Sequence, residues 1–344
     1  MKAVHGLSKR NKSPLRIIAI FLAVIILLLI SMFLSISIGS IHISFGTIKQ
    51  AILNFDGSKE QSIIQTVRLP RLLVTAFVGA NLAVAGALMQ ALTRNPLASP
   101  GIFGINAGAS AAMVFLTVLV PSVSMIGGVF GAFLGGAFAA VIVYVMSSLI
   151  KGGDSDVKLA LTGVAIQGML MSLTQTLLIF NESKTEGVMF WLTGSVIGRD
   201  WGHVHVLVPF SIAGLLIAFG LGRASSLLSL GDDVARGLGQ RVFAIRAFTA
   251  VVVIVLAGVS VAIAGPIGFV GLVVPHMVRY LIGVDYRVVL PMSALLGASL
   301  LLLADVLSRF ITYPYETPVG AVTALLGTPY FIYLARRKKT ERKA

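Results

Sequence analysis

Cysteine is absent from all 344 residues. Disulfides, iron–sulfur ligation and thiolate chemistry are therefore excluded. Charge is scarce too, at 12% of residues, and acid is the scarcer sign: 13 Asp and Glu stand against 27 Lys and Arg. A net charge of +14 would suit nucleic acid if the basic residues formed one polar face. They sit instead at the ends of apolar runs, so no nucleic-acid partner is expected. No G-x-x-x-x-G-K-[ST] occurs, so no ATP-binding loop of that kind is present and the chain is not expected to be an enzyme. No Ser/His/Asp spacing suggests a nucleophile. His203 and His205 lack a third ligand nearby in sequence and read as interfacial histidines. His276, after a proline, reads as a packed or capping side chain. No metal and no cofactor bound by this chain is expected.

Apolar residues are what the chain has in abundance: 57% of the total, with a mean hydropathy of +0.96. A soluble domain could not hide that much apolar surface. A helix needs about 20 apolar residues to cross a bilayer. Ten runs meet or approach that length: Ile17–Ser40, Leu72–Leu92, Gly101–Val120, Val123–Ile150, Leu159–Phe180, Val204–Leu221, Ala247–Ala264, Gly268–Ile282, Val288–Leu307 and Pro318–Leu334. The first follows five basic residues but is too long for a signal peptide and has no close cleavage site, so it is expected to be retained. Ten spans place both termini on one side. If that side is cytoplasmic, twenty of the 27 basic residues lie inside and seven outside, as the positive-inside rule requires. The expectation is an all-α polytopic protein: one transmembrane domain over 1–344, cytoplasmic tails at 1–16 and 335–344, and a cytoplasmic loop at 222–246.

That loop separates two hydrophobic halves. Its core, Leu230–Arg246, carries Asp232, Asp233, Arg236, Arg241 and Arg246, and glycines at 231, 237 and 239. Unpaired charges cost kilocalories in lipid, so the segment lies in water or against protein. Glycines at this spacing leave room for one or two short helical turns. Val234, Leu238 and Val242 add apolar residues that a plain tether does not need and a docking surface does.

Each half also holds a helix-breaking stretch. The first runs through Asn95, Pro96, Pro100 and Gly104, and the second through Gly265, Pro266, Gly271 and Pro275. Irregular backbone at membrane depth must be buried in protein or line a cavity, so these eight residues are candidates for a pathway. Pro100–Gly104 and Pro266–Gly271 match faintly, and five spans per half would invert the second copy, a recurrent transporter design. Gly127, Gly131 and Gly135, spaced by four, suit close helix packing. Trp191 and Trp201 suit an outer aromatic belt. Asp305, inside an apolar run, can pair with Arg309 one turn later. Arg68 and Arg71 fall on the outer side, against the charge rule, where anchoring to lipid phosphates is the plain explanation.

These stretches together resemble a known family. They are R-L-P-R at 68–71, G-A-L-M-Q-A-L-T-R-N-P-L-A-S-P-G-I-F-G at 86–104, L-G-D-D-V-A-R-G-L-G at 230–239, G-P-I-G-F-V-G-L-V-V-P-H-M-V-R at 265–279, L-L-L-A-D-V-L-S-R at 301–309 and P-V-G-A-V-T-A-L-L-G-T-P-Y-F at 318–331. The chain resembles the permease subunits of bacterial ABC importers for ferric siderophores, haem and cobalamin, the FecCD-like type II importers. The resemblance implies ten helices in two inverted five-helix halves, in the bacterial plasma (inner) membrane. It implies a permease dimer, with itself or a paralogue, over a cytoplasmic ATP-binding subunit pair and under an extracytoplasmic substrate-binding protein. It assigns ATPase coupling to Gly231, Asp232, Asp233, Ala235, Arg236 and Gly239. It assigns binding-protein docking to Arg68, Arg71 and Arg309, facing glutamates of that partner, and the cytoplasmic gate to Asp156 and Val157. The implied cargo is a ferric siderophore, with haem or cobalamin as alternatives. An ion-coupled secondary transporter would need buried, unpaired carboxylates, and a membrane enzyme would need a polar catalytic cluster.

Overall fold

The computed structural model describes residues 14–39, 43–120, 122–152, 155–313 and 315–341, with backbone alone at 52, 155–156, 183–186 and 333–341. Most of the expected N-terminal tail and the last three residues fall outside that set. Among the described residues every regular element is helical. The chain runs through α1 (Pro14–Ser37), α2 (Phe45–Leu53) and α3 (Lys59–Ile63), then one wide turn, Ile64–Arg68, into α4 (Leu69–Leu92). A tight turn, Pro100–Phe103, leads to α5 (Ile105–Leu119), α6 (Met125–Leu149), α7 (Ser155–Ile179) and α8 (Glu182–Leu192). The second half is α9 (Trp201–Gly220), α10 (Gly222–Ser229), α11 (Asp232–Gly237), α12 (Val242–Ala264), α13 (Val270–Ile282), α14 (Tyr286–Ile311) and α15 (Val319–Glu341).

Seven of these helices are long and apolar enough to span a membrane, and α5, α13 and the apolar part of α15 are shorter apolar helices. Together they account for all ten runs. The two short interior helices, α5 and α13, are third in their respective halves. Each follows a proline- and glycine-rich break, where missing donors and left-handed turns stop a helix. Gly104 (φ +74°) ends the first break. Gly265 (φ +72°) and Phe269 (φ +66°) bracket the second.

The bundle has a centre and a rim. The apolar window of α4 is 83% buried inside the chain, and those of α12 and α14 are 72% buried. For α1 the figure is 11% and for α7 17%, so these two present their side chains to lipid or to another chain. Glycine sets how closely the central helices approach. A Cβ on Gly79 would strike the Gly297 carbonyl of α14, and one on Gly86 the Gly271 carbonyl of α13. The expected packing role of the α6 glycines holds at two of three positions: Gly135 lies against Gly108 and Ala112, and Gly131 against Leu116. Gly127 meets only its own turn.

Two expectations change. Trp191 is not in an interfacial belt; it is 6% exposed and its indole donates to Ala262 O at 3.3 Å. Trp201 stays at the surface and donates to Gln65 O at 2.8 Å. The stretch before α4 is not a plain outer loop, because α2 and α3 fold back there, with Ser44 capping α2 through Thr47 N at 3.2 Å.

Candidate coupling and docking surfaces

The charged segments gather at two ends of the bundle. At one end lie α10, α11 and the α13–α14 turn. Ser226 Oγ accepts from Tyr286 N at 2.9 Å, and Gln240 Nε2 donates to Ala224 O at 3.1 Å. A Cβ on Gly222 would touch Arg287 Cα, and one on Gly231 would sit 4.0 Å from a terminal nitrogen of Arg94. Asp285 caps α14, and hydrogen bonds from the Arg287 side chain hold its carboxyl below the usual carboxylate range.

The predicted coupling residues divide by function here. Gly231 (φ +115°) and Gly239 (φ +81°) make the two turns that bound α11, conformations a side chain would strain. Ala235 is fully buried and anchors the helix. Asp232 is half-buried and bridges to Arg246 at 3.0 Å, stapling α11 to α12. Asp233 and Arg236 point out and pair only loosely, at 3.7 Å. Leu230, Val234 and Leu238 follow one another at a spacing of four, and all three are exposed, at 64%, 48% and 63%. Phe243 extends this surface at 77% exposure. Val242, expected outside, is buried at 5% and fixes the start of α12. The result is a short pinned helix with exposed apolar side chains on it and at both its ends, and with two charges pointing out.

The opposite end reverses an expectation. Arg68, Arg71 and Arg309 are 7%, 8% and 8% exposed, so they are not the open charges a docking ring requires. Arg309 donates to Ser35 O at 2.8 Å and to Ile38 O, and Arg68 donates to Ser37 O at 3.1 Å and to Ile36 O. These are the orphan carbonyls at the C-terminus of α1, the negative end of that helix. Arg309 also meets Asp305 at 2.5 Å, and Arg71 meets the other Asp305 oxygen at 2.7 Å. Arg71 NH1 reaches Glu316 at 2.7 Å. The expected Asp305–Arg309 pair is thus part of a larger network that ties α1, α4 and α14 together. Asp305 is fully buried. Above it the segment at 312–318 exposes Tyr313 and Tyr315.

The eight helix-break residues fall into several separate surroundings. Asn95 and Pro96 belong to a turn in which Asn95 Oδ1 accepts from Leu97 N at 3.0 Å. Pro100 opens the tight turn, and its ring would lie 3.3 Å from a Cβ on Gly271, so the two breaks meet beside Gly86. Gly104 faces Val143 and Ala139 of α6. Gly265 presses on the Trp191 carbonyl, while Pro266 O meets Gly194. Pro275 is buried inside α13. The second break and Pro100 are packed against protein, whereas Asn95 is exposed. Val157, at the first turn of α7, is exposed at 55%, and the Asp156 side chain lies outside the described set.

His203 is a cap, not a ligand: its Nδ1 lies 2.8 Å from Asp200 Oδ1, completing a reciprocal box at the start of α9. That hydrogen bond lowers the Asp200 carboxyl from its ordinary range. Two buried polar residues passed unnoticed in the sequence. Asn81 donates to Ser211 Oγ at 2.7 Å and Ser260 Oγ at 3.2 Å in the bundle centre. Gln90 lies between α4 and α13. Both interrupt apolar runs, and a polar group inside a span is itself the signal.

Residues 27–337 match the model of the FecCD transport family. The chain belongs to that family. It is 50% identical, over 97% of its length and 98% of the other's, to the Fe(3+)-citrate import system permease protein YfmD of Bacillus subtilis. It is 48% identical, over 92% and 96%, to the probable siderophore transport system permease protein YfiZ of the same organism. It is 39% identical, over 81% and 84%, to the Fe(3+) dicitrate transport system permease protein FecC of Escherichia coli. A solved metal-chelate type ABC transporter in an inward-facing conformation superposes with a TM-score of 0.82 at 29% identity, over 93% of this chain and 99% of that one. This FecCD permease therefore has the polytopic helical fold expected from its ten apolar runs.

Proposed function

We propose that the chain is the permease subunit of an ATP-driven importer for a ferric chelate of the citrate or siderophore class. The names of its relatives support that cargo over haem or cobalamin. In this reading the protein works as one of two permeases, a second copy or a paralogue, with the pathway between them. The exposed face of α7 supports that placement, because Ser172, Gln175 and Thr176 lie on it and a polar row is costly against lipid. The α10–α11 end is cytoplasmic, as are both termini, in the plasma membrane of a bacterium. The ATP-binding subunits perform hydrolysis and dock on α11. A substrate-binding protein seats on the opposite end over Tyr313, Tyr315 and Glu316. Arg68, Arg71 and Arg309 shape that seat from beneath, and Val157 with Asp156 lies near the inner gate.

The observation that carries the reading is the exposure of Leu230, Val234 and Leu238 before, on and after the short helix α11, which is pinned by Ala235 and the Asp232–Arg246 bridge. A solvated connector has no reason to hold apolar side chains rigidly in water. An ion-coupled carrier is disfavoured because Asp305, the buried carboxylate of the described spans, is held between two guanidiniums. The test is uptake of radiolabelled ferric citrate by proteoliposomes holding the permease with its ATPase and binding protein. Uptake should require internal ATP and survive an uncoupler. Uptake driven by an imposed ion gradient without ATP contradicts the proposal.

A further inference from the structure

Gln90 is a buried amide, 3% exposed, in the last turn of α4. Its Nε2 donates to Gly271 O at 3.3 Å and to Leu272 O at 3.4 Å, in the first turn of α13. The first of those carbonyls has a specific need. In a regular helix Gly271 O would accept from the N–H four residues on. That residue is Pro275, which has no N–H. Gln90 supplies the donor from another helix. Its Oε1 in turn accepts from Arg279 NH2 at 2.5 Å, so one side chain holds α13 at its first turn and near its last. One turn earlier on α4, Gly86 touches Gly271 backbone to backbone.

Residues in the left-handed region stand on both sides of α13. Gly265 (φ +72°) and Phe269 (φ +66°) precede it, and Gly283 (φ +103°) follows. Two residues past the end of α4 stands Arg94, a terminal nitrogen of which would lie 4.0 Å from a Cβ on Gly231, the residue that precedes α11. The segment after α4 therefore neighbours α11, while Gln90 and Gly86 join α4 to the broken helix.

We infer that Gln90 is a positioning residue that makes α13 follow the inner end of α4, and so transmits movement of α11 to the broken helix of the second half. The donor to Gly271 O is the essential contact. This rests on the proposed docking of an ATPase at α11. Two variants separate its parts. Gln90→Met keeps length and packing and removes donor and acceptor. Gln90→Glu keeps an acceptor for Arg279 and removes the donor. In proteoliposomes of the full complex, ATP hydrolysis and assembly should stay near wild type for both, while ferric citrate carried per ATP falls about tenfold, the range of a typical coupling free energy. A wild-type ratio in either variant overturns the inference. So does failure of both to assemble, which would mark Gln90 as packing alone.

A second readout does not depend on the cargo. The chain has no native cysteine, so spin labels at Asn95→Cys and Tyr280→Cys report the distance between the turn that follows α4 and α13. That distance should remain narrow through nucleotide binding with Gln90 present and broaden in Gln90→Met. A narrow distance in both overturns the inference even if ferric citrate proves not to be the cargo. Absent ferric citrate uptake by the wild type, with the distances behaving as expected, rejects only the cargo.

Discussion

The two ends of this permease use charge in opposite ways. At the α1–α4–α14 end, three arginines are each at most 8% exposed, and Asp305 and helix-end carbonyls absorb their donors. At the α10–α11 end, Asp233 and Arg236 are open to solvent beside an exposed apolar row. One end uses its arginines to join helices; the other joins α11 to α12 through Asp232 and Arg246 and leaves Asp233 and Arg236 available. Charge on the unexpected side of a membrane is therefore not by itself a docking signal. What sets the α11 end apart is a pinned short helix with exposed apolar side chains on and beside it.

The comparison breaks most readily at Asp305. Asp305→Ala leaves two buried guanidiniums without their shared carboxylate and should cost about 3–5 kcal/mol. The expected result is loss of folded permease from the membrane fraction, read by detergent-solubilised yield and melting temperature. Normal yield and melting would mean that this end is not held by its ions. The next effect is at the other end. Val234→Asp with Leu238→Asp should weaken ATPase binding by about 100-fold or more, as loss of interface anchors does, with no change in melting temperature. A titration of the solubilised permease with its ATPase measures this. Smaller still is Asp233→Lys with Arg236→Glu, which keeps the local pair and inverts its field. ATPase association should slow about tenfold at low salt and recover at high salt, because exposed charges steer encounter and are screened. Asp232 is left out of that variant because its bridge to Arg246 is internal. Least of all, Glu316→Gln should cost less than about 1 kcal/mol in stability, since Glu316 is a third exposed and Arg71 keeps Asp305.

Much of this architecture was legible before any coordinates. Ten apolar runs gave ten helices because length and hydropathy report the bilayer's demands directly. The breaks at Pro100–Gly104 and Gly265–Phe269 were legible because missing donors and left-handed turns are local properties. The short helix α11 was legible from glycine spacing, and of the three apolar residues named with it Val234 and Leu238 are exposed while Val242 is buried. What stayed hidden was partnership across distance. Arg309 and Asp305 are four residues apart and could be paired on paper, but Arg71 reaches Asp305 across 234 positions and Arg309 reaches Ser35 across 274. No local pattern announces those contacts or the burial of the three arginines that goes with them. Trp191 misled for the same reason: Ala262, its acceptor, is 71 positions away. Gln90 was overlooked inside a matching motif, although an amide in a span is costly enough to require a partner.

The most direct measurement labels one side chain and leaves the fold alone. With no native cysteine in the chain, Leu238→Cys places a single thiol on α11, and a water-soluble maleimide reports its exposure. In the isolated permease it should react quickly. Adding the ATPase subunit should suppress labelling, whereas a cysteine at Tyr313, exposed at the opposite end of the bundle, should be unaffected by the ATPase. Equal labelling of Leu238→Cys with and without the ATPase would contradict the account.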